Sequence, residues 1–144
     1  MRLERDEFEI ADGLEHLDME AVCRLLAGSY WAAERPRAVI EKSVAGSLCL
    51  GLYHRGRQIG FARWITDQAT FAYLCDVIID PEFRGRGLGR WLVESAILHP
   101  QVEGLHLMLA TRDAHGLYER YGFVKSEAMR RAVRPAVSTP REAN

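Results

Sequence analysis

The sequence RGRGLGR at residues 84–90 stands between an apolar run and a helical pattern. Glycines in such a loop let backbone N–H groups converge, because no Cβ atom blocks an approaching ligand. The following helix adds free N–H groups and a partial positive charge at its N-terminus. Arg84, Arg86 and Arg90 supply further positive charge at the rim. This combination predicts an anion site of the size of a pyrophosphate.

Two common phosphate motifs do not describe this loop. A P-loop ends in Gly-Lys-Ser/Thr, whereas Gly89 is followed by Arg90 and a tryptophan. A dinucleotide fingerprint requires the spacing G-x-G-x-x-G, and here the third glycine comes one residue early. A glycine-rich turn that only connects a strand to a helix remains an alternative.

A second motif, LYERYGF, follows at residues 117–123. Together the two motifs resemble the GCN5-related N-acetyltransferases, whose cofactor loop reads [Arg/Gln]-x-x-Gly-x-[Gly/Ala] and whose later motif reads Leu-Tyr-x-x-x-Gly-Phe. Arg84, Gly87 and Gly89 match the first motif, and Ala114 matches the small residue four positions before the tyrosine. Thr111 departs from the pattern, since many members have Asn there. The resemblance extends over residues 47–123.

The resemblance implies a fold and a cofactor. The fold is α+β, a mostly antiparallel mixed sheet flanked by helices, in which two central strands splay apart. Acetyl-CoA enters that gap as the co-substrate, and no metal takes part. The implied cofactor-binding residues lie at the end of one strand and in the glycine loop: Val77, Ile78, Ile79, Arg84, Gly85, Arg86, Gly87, Leu88, Gly89 and Arg90.

The resemblance also implies direct attack of a primary amine on the thioester, with Tyr118 as the general acid. Some relatives have a Glu base on the central strand, where this sequence has Tyr73. Asp76 is a candidate base, but strict alternation places it on the opposite face from Tyr73 unless a β-bulge intervenes. His106, His115, a chain of waters or an already neutral amine are the alternatives.

The resemblance implies an amine-binding pocket built from the loop between the first two helices and the late strands. Aromatic side chains in that loop form either an amine-recognising wall or a hydrophobic lid. The acceptor is a small molecule or a peptide, and its assigned contacts are Tyr30, Trp31 and Tyr73.

Apolar periodicity predicts the order of elements. A short strand at residues 8–10 precedes helices at residues 18–28 and 36–46. Strands follow at residues 47–54, 57–66 and 70–79, and a helix begins after the glycine loop. The remaining elements are a strand at 105–110, a short helix capped by Asp113, and last strand material within 123–133.

Composition limits the class of protein. A length of 144 residues predicts one domain, at residues 1–134, with a flexible tail at 135–144. The net charge of −1 argues against nucleic acid, and no apolar run is long enough to cross a membrane. Three cysteines without a CxxC pair favour a cytoplasmic protein. The acidic first twenty residues form a solvated face or produce a weak electrostatic field that attracts a cationic amine. Whether the protein forms a homodimer is left open.

Two functions compete with catalysis at this stage. One is a sensor that holds CoA or acetyl-CoA without turnover, which the missing Glu base favours. The other is an interaction domain whose glycine loop binds nothing. The identity of the acceptor amine does not follow from the sequence.

Overall fold

The computed structural model describes residues 1–133 and shows a mixed α+β fold built on one six-stranded sheet. Neighbouring strands are antiparallel except the last pair, β5 and β6, which is parallel. The predicted tail at 135–144 lies outside the described residues. The strands follow one another across the sheet in chain order: β1 Arg2–Arg5, β2 Phe8–Asp12, β3 Leu48–His54, β4 Arg57–Thr66, β5 Phe71–Ile79 and β6 His106–Leu109.

Four helices accompany the sheet: α1 Met19–Ala27, α2 Arg37–Ala45, α3 Leu88–Ile97 and α4 His115–Glu119. The first two pack with Phe61 and Ile78 in one hydrophobic cluster, and α3 packs with Trp64 and Leu74 in another. Because alternate residues of a strand face opposite sides, the sheet has a hydrophobic core on each face.

Local sequence explains where these helices begin. The Asp18 carboxylate accepts hydrogen bonds from two backbone N–H groups of the first turn of α1. Pro36 precedes the first residue of α2, where its fixed φ suits the entry into a helix. Gly87, in the left-handed region at φ 77°, precedes α3.

A β-bulge interrupts the pairing of β5 with β4. Phe61 pairs with Ile78 and Arg63 pairs with Cys75, so Asp76 and Val77 together lie opposite Ala62 alone. Asp76 takes φ 54°, which is uncommon for a residue other than glycine. Because of the extra residue, the Asp76 side chain lies on the α1–α2 face of the sheet. Strict alternation would have placed it on the α3 face.

The last two strands of the sheet, β5 and β6, separate after Leu74, just before this bulge. β5 pairs with β6 only from Phe71 to Leu74, and within residues 1–133 no strand pairs with the β6-facing edge of residues 75–79. The predicted α+β fold with splayed central strands is confirmed. The gap that results is the feature on which the site depends.

At the chain ends the sequence analysis missed one strand and predicted another that does not form. Arg2–Arg5 forms strand β1, an exposed partner of β2 to which the sequence analysis assigned no element. Residues 123–133 contain no strand, although last strand material was predicted there. Val124 is 83% exposed and Met129 is fully exposed, so no burial of apolar surface supports a strand in this segment.

Candidate active site

A cavity of about 630 Å³ lies beside the end of β5 that β6 does not pair with. It is called the central cavity below. Four parts of the chain surround it: the loop after α1, the end of β5, the glycine loop with the first turn of α3, and α4. From these come the aromatic residues Tyr30, Trp31, Phe83 and Tyr118. The two motifs recognised in the sequence therefore meet at one site.

The glycine loop has the conformation that an anion site requires. Gly85 and Gly87 adopt φ 82° and 77°, which L side chains rarely adopt, and a Cβ atom at either position would meet nothing within 4 Å. No side chain caps the N-terminus of α3, so its first N–H groups are free for a ligand. Open space beside free amides fits the pyrophosphate of acetyl-CoA.

The three arginines of the loop differ in their surroundings. The Nε atom of Arg84 donates to the carbonyl oxygen of Ile79 at 3.2 Å, so this side chain braces the loop against β5. The Arg86 guanidinium lies over the Phe83 ring at 5.2 Å. Arg84 lines the central cavity, whereas Arg86 and Arg90 lie outside its lining.

The end of β5 forms one wall of the cavity. Val77, Ile78 and Ile79 line it; Ile78 and Ile79 pair with β4, and within residues 1–133 no strand pairs with the opposite edge. A strand presents N–H and C=O groups at both edges, so the free edge can receive an extended ligand as an added strand. The pantetheine arm of acetyl-CoA carries amides suited to such pairing.

Tyr118 reaches the cavity from α4. Its ring packs edge-on against Phe123 at 5.9 Å between centroids. Among residues 1–133 its hydroxyl has no side-chain or backbone hydrogen-bond partner. Burial, with further contributions from Asp113 and Tyr30, raises the pKa of Tyr118 above 10. The phenol is therefore protonated at neutral pH and can donate a proton within the cavity.

Asp76 lies beside the cavity at the centre of a charged network. Its side chain is 1% exposed, and its Oδ1 atom accepts a hydrogen bond from Trp31 Nε1 at 2.8 Å. Its Oδ2 atom accepts from Arg35 Nη1 at 2.8 Å and from Arg63 Nε at 2.6 Å. Burial by itself would raise the pKa of Asp76, but the hydrogen bonds from the two arginines outweigh it and the pKa is lowered. These contacts favour a structural anion over a general base.

Tyr30 and Trp31 form an aromatic pair at the mouth of the cavity. Their rings pack edge to face at 5.0 Å, and the Arg112 guanidinium lies 4.0 Å from the centre of the Tyr30 ring. Tyr30 is 64% exposed and Trp31 is 41% exposed, so neither is an ordinary core residue. The surfaces assigned to the amine are accessible.

The other sequence candidates are not brought to the cavity. Tyr73 lies on β5 opposite Ile65 and Met108, before the strands separate, and does not line the cavity. His106 is at the far end of β6, against Phe71. His115 begins α4 but is absent from the lining, which includes Ala114 and Tyr118 from this region. Neither histidine lines the central cavity, although His115 and Tyr118 both line a second pocket on the other side of α4.

Sequence reasoning missed Arg35, Arg63 and Arg112 as parts of the site. One signal was present for Arg63: it and Asp76 are opposite charges, each interrupting an apolar strand of the same sheet. Arg35 is 41 residues from Asp76 along the chain, and Arg112 belongs to an irregular segment, so neither contact has a local signature.

Comparisons with known proteins identify the family of this chain. A family model described as an acetyltransferase (GNAT) domain matches residues 45–125. The proposed acetyltransferase FG08082 of Gibberella zeae is 30% identical over 138 residues, with 79% of this chain and 77% of that protein covered.

Solved structures show the same similarity. The crystal structure of xcc2953 from Xanthomonas campestris pv. campestris, assigned to the GNAT family, superposes with a TM-score of 0.83 at 41% identity, covering 92% of this chain and 97% of that one. A Trypanosoma brucei acetyltransferase, Tb11.01.2886, shares the fold with a TM-score of 0.68 at 23% identity, covering 88% and 99%. The chain belongs to the GNAT family of acetyltransferases.

Two further observations concern the described residues as a whole. Over residues 1–133, no helix combines the length and the apolar character that crossing a membrane requires. The same part of the chain holds no group of three or more His, Cys, Asp or Glu side chains arranged to bind a metal ion.

Proposed function

We propose that this acetyltransferase moves the acetyl group of acetyl-CoA to a primary amine of a small molecule or peptide, by direct attack of that amine. The observation that carries the proposal is the meeting of the glycine loop, the free edge of β5 and Tyr118 around one cavity. Acetyl-CoA supplies the activated thioester when it is bound. The chain supplies binding, orientation and a proton.

Each wall of the cavity has a role in this reaction. The amides of the glycine loop and of the first turn of α3 bind the pyrophosphate. The free edge of β5 aligns the thioester, and one of its N–H groups donates to the carbonyl oxygen as negative charge develops there. The Tyr118 hydroxyl donates its proton to the departing thiolate.

Residues 1–133 place no carboxylate base in the cavity. The lining contains no Asp or Glu, and Asp76 beside it is held by three donors. The amine is therefore expected to arrive neutral or to lose its proton to water, so the rate should rise with the neutral fraction of the amine. A sensor that holds acetyl-CoA without turnover would use the same cavity, and only turnover separates the two functions.

Cofactor binding is tested by isothermal titration with acetyl-CoA. Gly87→Glu places a carboxylate in the phosphate site and strains the backbone, because its φ is 77°. Gly56→Glu is a matched control: Gly56 has φ 82°, a Cβ there also meets nothing within 4 Å, and it lies in the β3–β4 turn away from the cavity. We expect micromolar binding in wild type and in Gly56→Glu, and none in Gly87→Glu. Absence of binding in folded wild-type protein would refute the proposal.

Turnover is tested by measuring thiol release from acetyl-CoA with a panel of amines. The panel contains spermidine, phenethylamine, L-lysine, L-phenylalanine and a short peptide with a free N-terminus. Acetylation of any of them above the hydrolytic background supports the transferase. Tight acetyl-CoA binding without amine-dependent thiol release across the panel would support the sensor.

A further inference from the structure

Asp76 connects the two halves of the central cavity. It is the first of the two bulged residues of β5, and Val77 to Ile79, directly after it, line the cavity. Its carboxylate reaches across to Trp31 and Arg35, which lie 45 and 41 residues earlier in the chain. One buried anion therefore joins the strand assigned to acetyl-CoA to the loop assigned to the amine.

The loop at residues 29–35 depends on this connection. Its first half is held by Ser29, whose hydroxyl donates to the Leu26 carbonyl and accepts from the Ala32 N–H. Trp31 and Arg35, on either side of the buried Ala32, both donate side-chain hydrogen bonds to Asp76 in the sheet. The position of the Trp31 indole, and of Tyr30 packed on it, therefore follows from the Asp76 carboxylate.

The network continues away from the cavity. Arg63 donates to Asp76 through Nε and to the Ser47 hydroxyl through Nη1 at 3.0 Å. That hydroxyl donates in turn to the Ser43 carbonyl in α2, at 2.7 Å. Arg63 thus fixes the Asp76 carboxylate on the side away from the cavity, and the carboxylate in turn holds the 29–35 loop on the cavity side.

We propose that Asp76 is the positioning residue of the amine-binding site: its buried carboxylate holds Trp31 and Arg35, and through them the 29–35 loop, in the orientation that receives the amine. This inference rests on the proposed function and deepens it. Proton transfer to Asp76 would weaken two ion pairs at once, which opposes a role as the base. Asp76 acts through the loop and does not itself touch the reacting atoms.

Three variants separate this role from general stability. Asp76→Asn removes the charge. Arg35→Met removes one tie to the loop and leaves the Asp76–Arg63 pair intact, so it serves even if Asp76→Asn does not fold. Arg35→Lys keeps the charge and should fall between wild type and Arg35→Met. Asp12→Asn is the control, because Asp12 accepts a 2.6 Å hydrogen bond from the buried His99, away from the cavity.

The first readout is quenching of tryptophan fluorescence by acrylamide. Trp64 and Trp91 are buried, so accessible emission comes from Trp31, and Trp31→Phe provides the baseline. A released indole would expose most of its surface in place of 41%, so the quenching constant should rise about twofold in Asp76→Asn and Arg35→Met. Asp12→Asn should quench as wild type does.

The second readout separates the amine from the cofactor. With the panel amine that is acetylated fastest, KM should rise about tenfold in Asp76→Asn and Arg35→Met, as expected for losing hydrogen bonds to a charged group. The Kd of acetyl-CoA should stay within about twofold of wild type, since binding in the glycine loop does not use these contacts.

Two results would overturn the inference. One is wild-type quenching in both Asp76→Asn and Arg35→Met. The other is a rise in the Kd of acetyl-CoA by the same factor as the rise in the KM for the amine, which would indicate a general loosening of the cavity. Failure of the proposed function can be distinguished from failure of this inference, because the wild-type protein would then show no acetyl-CoA binding or no turnover. The quenching readout then still decides whether Asp76 holds Trp31.

Discussion

Replacing Tyr118 by Phe removes one hydroxyl from the central cavity and changes little else. That hydroxyl has no hydrogen-bond partner within residues 1–133, and the ring contact with Phe123 is kept. The free energy of unfolding should therefore change by less than about 0.5 kcal/mol. An effect on the reaction can then be attributed to the missing proton donor.

The expected loss in kcat follows from the chemistry of the leaving group. A general acid contributes about 10²- to 10⁴-fold. A thiol has a reference pKa of about 8.5, so its thiolate needs less help near neutral pH than an alkoxide does, which puts the loss near the lower limit, at about 100-fold. Because burial, Asp113 and Tyr30 raise the pKa of Tyr118 above 10, deprotonation of this group should not lower the wild-type rate between pH 7 and 9.

The assay is thiol release from acetyl-CoA with the best panel amine, combined with titration of acetyl-CoA. Tyr121→Phe is the matched control, since Tyr121 lies just after α4 and does not line the cavity. Tyr118→Phe should lose kcat and keep its acetyl-CoA Kd, while Tyr121→Phe should change neither. A Tyr118→Phe enzyme within threefold of the wild-type kcat would refute the assignment of Tyr118 as the acid.

Two further predictions concern stability. Gly89→Ala should raise the free energy of unfolding by about 0.5 kcal/mol in urea denaturation, because alanine favours helix α3 and its Cβ would meet Ile79 at an ordinary 3.7 Å; acetyl-CoA affinity should be kept, and a destabilised variant would contradict this packing. The lowered pKa of Asp76 contributes stability that is present above the unfolded-state pKa near 3.9 and is lost as pH falls through the folded-state pKa. Between about pH 4 and 2, Asp76→Asn should therefore lose stability less steeply than wild type, by up to about 1.4 kcal/mol per pH unit, and parallel curves would rule this out.

The conformation of the glycine loop was predictable because its determinants are local in the chain. The glycines at 85, 87 and 89 lie between a strand and a helix, so backbone conformation and helix polarity follow from a few consecutive residues. The tyrosine motif is equally local. The family resemblance added that these two segments meet, and the cavity confirms it.

Errors occurred where long-range partners decide the outcome. Arg2–Arg5 forms a strand despite its charge because it pairs with the edge of β2. Residues 123–133 include residue types that favour strands, but their apolar side chains Val124 and Met129 are exposed. A strand is defined by its neighbour, so propensity alone does not distinguish these two segments.

By itself, the sequence determined the α+β class, the glycine loop between a strand and a helix, and the tyrosine motif that follows it. Periodicity, glycine conformation and helix polarity act over one or two turns of chain, which a sequence displays directly. Only the tertiary structure decided the role of Asp76. The bulge that turns it to the α1–α2 face is set by pairing with β4, and its partners Trp31, Arg35 and Arg63 come from elsewhere in the chain. A buried charge is defined by the groups that surround it, and those groups meet only when the chain has folded.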